Sequence, residues 1–181
     1  MNNTFQSQYT FFDPTTLKVG NHTFTLKKVV EQVGHDDTLP YAATLYIDNK
    51  RVAIVFNDGW GGETQYHQIF NKDLLEKAEK EIKGLPYPIT PLDVMDIPLT
   101  INNVANIADI IAENTISLQL FYKRKKECII GVIGCKLICA PLPQYVKNIT
   151  NENSKKEMIE QHCKRIENSG YKILSAPHII P

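Results

Sequence analysis

Within 57-NDGWGGETQYH-67 stand the only tryptophan of the chain, Trp60, two carboxylates, Asp58 and Glu63, then Tyr66 and His67, and three glycines, Gly59, Gly61 and Gly62. Successive backbone N–H groups beside glycines can form a concave nest for an anion. With an indole available for stacking, a phosphate or nucleotide would suit these residue types. Against that, Asp58 and Glu63 bring negative charge to both sides, and neither a G-x-G-x-x-G nor a Gly-Lys-Ser/Thr signature is present. The segment also runs from strand to strand, so no helix dipole aims at it. Asp58, Glu63 and loop carbonyls are hard oxygen donors of the kind Ca²⁺ or Mg²⁺ takes, but their spacing fits no EF-hand loop. His67 with Asp58 or Glu63 would make an acid–base pair, since imidazole is the group most readily poised near neutral pH. No serine or cysteine nucleophile motif accompanies it.

The plainest reading of the segment is a wide turn in which Asp58-Gly59 supplies positive φ and Trp60 packs over the sheet edge. Turn chemistry accounts for the Asn, Asp and Gly residues. It does not account for the polar row Glu63, Gln65 and His67. These three share strand parity and would project from one face, with Glu63 and His67 about 13 Å apart along it. Thr64 and Tyr66 would face the other way. The candidate binding surface is therefore Asp58, Gly59, Trp60, Gly61, Gly62, Glu63, Gln65 and His67, and no catalytic residue, cofactor or metal ligand is assigned.

The elements that must position this surface are legible on both sides of it. In 43-ATLYI-47, Ala43, Leu45 and Ile47 share a side, and 51-RVAIVFN-57 is apolar on both. Asp48-Asn49-Lys50 between them predicts a hairpin turn with Asn49 left-handed. The run 63-ETQYHQIF-70 predicts a third strand, giving an antiparallel meander from about Tyr41 to Phe70. Upstream, Thr4–Phe12 and His22–Val30 favour β residues. Downstream, Asn71 or Asp73 caps a helix with the stripe Leu74, Leu75, Ala78 and Ile82, which Gly84 stops. Leu85 to Leu99 is punctuated by proline and reads as irregular. A second helix is predicted from about Asn102 to Asn114. It is followed by an alternating strand Ser117–Lys123, a basic hairpin tip Lys123–Lys126, and one nearly continuous apolar strand from Glu127 to Ala140. Gly131 and Gly134 inside that run suggest a bulge or a close backbone approach. The last helix reads as starting at a Ser154/Glu157 capping box, with Met158, Ile159, His162, Cys163 and Ile166 on one face. Gly170 ends it, and Tyr171 to Leu174 returns as a short strand.

These runs of strands and helices predict an α+β fold, an antiparallel meander plus further antiparallel strands with about three helices packed on the sheet. At 181 residues the chain suits a single domain, 1–181, divisible into an N-terminal meander with its helix (1–84) and a helix-hairpin-helix half (100–181). Twenty Lys and Arg balance twenty Asp and Glu, so no general field draws the chain to nucleic acid or an anionic membrane. No signal peptide or spanning segment is read, which predicts a soluble, cytoplasmic protein. Cys128, Cys135, Cys139 and Cys163 form no C-x-x-C pair and read as buried thiols. His162 reads as a core or interface residue, and His35 beside Asp36 and Asp37 as surface.

The run 41-YAATLYIDNKRVAIVFNDGWGGETQYH-67 resembles a pattern in small proteins of bacteria and their phages. In these a strand, a short "DGK"-type turn and a second strand lead into "NDG-x-GG" and then a Tyr or His. The resemblance covers these 27 residues, carries no activity and transfers no functional residue. It implies an accessory or host–phage interaction protein, such as a counter-defence factor, rather than a housekeeping enzyme. The function expected from the residues and the resemblance together is binding of a partner protein or a small anionic or nucleotide ligand through the glycine-rich hairpin. The alternative is a small hydrolase or transferase using His67 with Asp58 or Glu63.

Overall fold

The computed structural model describes residues 13, 15–32, 39–85, 101, 103–133 and 136–177. The segments Thr4–Phe12 and Gly34–Asp37, the proline-punctuated stretch after Leu85, and Gly134 and Cys135 lie outside them. The described residues form the expected α+β architecture, with two antiparallel sheets, and group into two compact units. The first unit contains β1 (Thr16–Val19), β2 (His22–Glu31), β3 (Tyr41–Ile47), β4 (Lys50–Asn57), β5 (Gln65–Ile69), α1 (Lys72–Gly84) and α2 (Val104–Arg124) as far as Thr115. The second contains the rest of α2, β6 (Cys128–Ile133), β7 (Lys136–Pro141), α3 (Gln144–Lys147), α4 (Glu152–Asn168) and β8 (Lys172–Ser175).

In the first unit the five strands lie side by side in chain order. Alternation sets their faces: Tyr41, Ala43, Leu45 and Ile47 are buried along β3. In β4, Val52, Ala53 and Val55 are all buried, as a strand apolar on both sides requires. The β3–β4 turn has positive φ at both Asp48 and Asn49. That conformation matches the twist of the flanking strands and sets the pairing of Ile47 with Lys50. It also puts Tyr41, at the far end of β3, opposite Asn57, where the glycine-rich segment begins. Asn71 caps α1 by accepting from Leu74 N–H (3.1 Å), and the helix buries Leu75, Ala78 and Ile82.

Three sequence expectations need correcting. Ser117–Lys123 is not a strand; α2 runs unbroken from Val104 to Arg124. The helical stripe Val104, Ile107, Ala108, Ile111 and Ala112 continues into Thr115 and Ile116, all buried. The apparent alternation is contradicted by burial too, since Phe121 is buried while Tyr122 is exposed. Lys123 and Arg124 then occupy the last turn of a helix, where positive charge complements the macrodipole. Second, Glu127–Ala140 is two strands rather than one. β6 ends at Ile133, β7 begins at Lys136, and the two pair antiparallel. Third, the N-cap of α4 is Asn151, whose side chain accepts from Ser154 N–H (3.1 Å). Ser154 is therefore inside the helix. The Gly131 expectation holds: the β6–β8 pairing shifts register there, and an added Cβ would stand 3.4 Å from the Lys172 carbonyl. In the second unit Ile129, Leu142, Val146, Ile159, Cys163 and Ile173 form the core. No described helix is long and apolar enough to cross a membrane.

Candidate functional site

The segment joining β4 to β5 is held from inside by its own polar side chains. Asn57, buried at the end of β4, accepts from Gly59 N–H through Oδ1 (2.9 Å) and donates through Nδ2 to the Gly62 carbonyl (3.2 Å). One amide thus closes both ends of the turn. Asp58 Oδ1 accepts from Trp60 N–H (3.1 Å), a local Asx turn. Gly59 and Gly61 have φ of 83° and 78°, a region closed to most residues with a Cβ. The glycines are therefore explained by backbone conformation.

Beneath the turn lies a polar cluster that the sequence reading missed. Thr64 is buried and its hydroxyl donates to Asp109 on α2. The Tyr41 hydroxyl donates to Asp109 Oδ1 (3.2 Å) and lies 2.9 Å from Thr64 Oγ1. The Asn57 side chain also bonds to Asp109. Burial raises the Asp109 carboxyl above its ordinary value, and the bonds from Thr64, Tyr41 and Asn57 oppose that rise. Burial and the charge of Asp109 hold the Tyr41 phenol above its usual range, so it is a neutral donor. A second cluster repeats the arrangement beside it. Tyr66 donates to Glu79 Oε1 (3.0 Å), and the same oxygen accepts from Val104 N–H (3.2 Å), capping α2. Glu79 Oε2 is buried without a hydrogen-bond partner. Tyr66 and Glu79 line a shallow groove of about 460 Å³ along α1, with Leu75, Glu76, Lys80 and Lys83.

The expected split by parity is seen. Thr64 and Tyr66 turn inward, while Glu63, Gln65 and His67 are exposed. Trp60 does not pack over the sheet edge; it is 64% exposed. The structure does not bring His67 together with Asp58 or Glu63. No hydrogen bond or ion pair joins them, and the imidazole stands edge-on to Phe56, ring centroids 6.2 Å apart. The acid–base reading gains no support from this geometry. Among the described residues, no three His, Cys, Asp or Glu side chains converge as a metal-binding set. A faint signal of the hidden cluster was present in the sequence. Asp109 is a lone carboxylate inside the apolar run 107-IADIIA-112, where an acid must be paired or lie at the stripe's edge. Comparison of the chain with family models, curated proteins and solved structures finds no match in any of the three.

Proposed function

We propose that the protein is a binding protein whose recognition surface is the β4–β5 turn, centred on Trp60 and flanked by Asp58, Glu63, Gln65 and His67. One observation carries this: a 64%-exposed tryptophan stands on a turn whose two ends are closed by the buried Asn57 side chain. A large amphipathic ring on an already ordered backbone is the kind of group that anchors interfaces, because little further ordering is lost on binding. A partner protein fits this surface better than a phosphate, because the exposed carboxylates of Asp58 and Glu63 flank the indole and would repel an anion. The likeness of residues 41–67 to small bacterial and phage proteins supports a cytoplasmic accessory role of the host–phage or counter-defence kind. Native mass spectrometry of protein purified from its own cells tests the reading. A co-purifying protein that is lost from Trp60→Ala/His67→Ala supports it. A complex that survives the double variant unchanged removes it, and a retained nucleotide would shift the reading to a small anionic ligand.

A further inference from the structure

At the other end of β3, about 20 Å from the Trp60 turn at ~3.3 Å per residue, a buried histidine lies between two carboxylates. The His22 side chain is 6% exposed. Its Nδ1 is 2.6 Å from Asp48 Oδ2, and Asp48 Oδ1 accepts from Thr23 N–H (2.9 Å). The Thr23 amide bond and His22 hold the Asp48 carboxyl below its ordinary value. An ionised carboxylate only accepts, so Nδ1 is the ring nitrogen that donates to Asp48, and Nε2 is the one left for a further partner. Nε2 has no hydrogen-bond partner in the protein. It faces Glu81 Oε2 at 3.5 Å. Glu81 is fixed through its other oxygen, which accepts from Asn21 N–H (2.7 Å). The turn is wrapped closely on that oxygen: Gly20 has φ +59°, and a Cβ there would be 2.6 Å from Glu81 Oε1.

We propose that His22 Nε2 and Glu81 Oε2 form a two-residue site for a divalent transition-metal ion of the zinc type, with Asp48 as a positioning residue. The bite of the pair fits. With metal–nitrogen and metal–oxygen bonds of about 2.05 and 2.1 Å, a separation of 3.5 Å subtends ~115° at the metal, close to tetrahedral. An imidazole donor selects such ions over Mg²⁺ or Ca²⁺. A carboxylate on the other ring nitrogen is the usual device for orienting a metal-binding histidine. Glu81 is 25% exposed, so solvent can complete the coordination. A bound ion would join the β1–β2 and β3–β4 turns to the last turn of α1.

The test is titration of the full chain with Zn²⁺, with Mg²⁺ as control, read by calorimetry, thermal melting and histidine-ring NMR. Zn²⁺ is expected to bind one-to-one, raise the Tm and shift the His22 ring signals, while Mg²⁺ does none of these. His22→Gln and Glu81→Gln are each expected to weaken binding at least tenfold. Asp48→Asn, which keeps both ligands, should weaken it roughly 10–100-fold. Should His22→Gln fail to fold, Glu81→Gln carries the test, since its carboxylate is partly exposed. Absence of Zn²⁺ binding at millimolar concentration overturns the proposal. So does affinity unchanged in Glu81→Gln, or a His22 ring that is doubly protonated at neutral pH and indifferent to Zn²⁺.

Discussion

Thr64→Val changes one hydroxyl for a methyl group of nearly the same shape, in a buried site. In the native protein that hydroxyl donates to Asp109 and lies 2.9 Å from the Tyr41 hydroxyl. A hydrogen bond to a charged group contributes ~1.5–3 kcal/mol. The added apolar surface returns ~0.8 kcal/mol, and both side chains are β-branched, so strand preference is unaffected. The Tyr41 proton can still reach Asp109, which lies 3.2 Å away, so the carboxylate keeps a donor. The expected net loss is about 1–2 kcal/mol. Urea denaturation at neutral pH should show a lower midpoint with an unchanged slope, since the surface exposed on unfolding is the same. Trp60 is the only tryptophan and sits on the turn this hydroxyl anchors. Its fluorescence quenching and the hydrogen exchange of the Gly59 amide, which donates to Asn57, should therefore rise in the variant before global unfolding. A stability change below about 0.5 kcal/mol, the range of neutral surface substitutions, together with unchanged exchange in the turn, would refute the claim that the buried cluster holds it.

Other perturbations separate the elements. Burial raises the Asp109 carboxyl above 3.8, so the folded state holds that proton more tightly than the unfolded chain. The Asp109 contribution should therefore fall as pH climbs from 3.8 through the raised folded value; Asp109→Asn should flatten that part of the stability–pH curve. Gly20→Ala should cost roughly 1–3 kcal/mol in thermal or urea unfolding, by placing a side chain at positive φ against Glu81. Gly131→Ala should change the exchange of amides in Lys172–Ser175 little, because its Cβ would stand 3.4 Å from the Lys172 carbonyl, at the edge of ordinary contact. Trp60→Ala should leave urea stability within about 0.5 kcal/mol of the native protein, as an exposed residue does.

The meander was legible because its signals agree at every level. Strict alternation from Tyr41 to Ile47 fixes the faces, and Asp48-Asn49 tolerates the left-handed backbone of the turn. The errors came where a local pattern fits two periods. Leu118, Leu120 and Tyr122 alternate over five residues, too short a window to exclude a helix, and only the stripe running back to Val104 decides it. Cys128 to Ala140 hides a hairpin because both of its strands are apolar and the single charge in the run is Lys136, the first residue of β7. Asn151 and Ser154 are both good caps, and sequence alone does not rank them. The site divides in the same way. Parity correctly set Glu63, Gln65 and His67 apart from Thr64 and Tyr66. The partners of the inward pair come from elsewhere in the sequence, Glu79 from α1 and Asp109 from α2, and no spacing rule in the turn announces them.

That long-range anchoring changes what binding through Trp60 would require. A turn closed only by its own glycines would sample many conformations and lose that freedom on meeting a partner. Here Asn57 closes both ends, and Asn57 and Thr64 are bonded in turn to Asp109. The turn is thus tied to a helix more than 40 residues further along the chain, as the 45-residue separation of Thr64 and Asp109 shows. Two variants distinguish the contributions. Trp60→Ala removes the contact and leaves the scaffold, so affinity should fall while stability holds. Thr64→Val keeps every exposed side chain of the surface and loosens the scaffold, so stability and affinity should fall together. The affinity lost should also be recovered by any change that restores the turn's amide protection without touching Trp60. If Thr64→Val lowers stability yet binds with native affinity, the turn's order contributes nothing to recognition. The exposed tryptophan would then have to act through contacts that tolerate a mobile backbone.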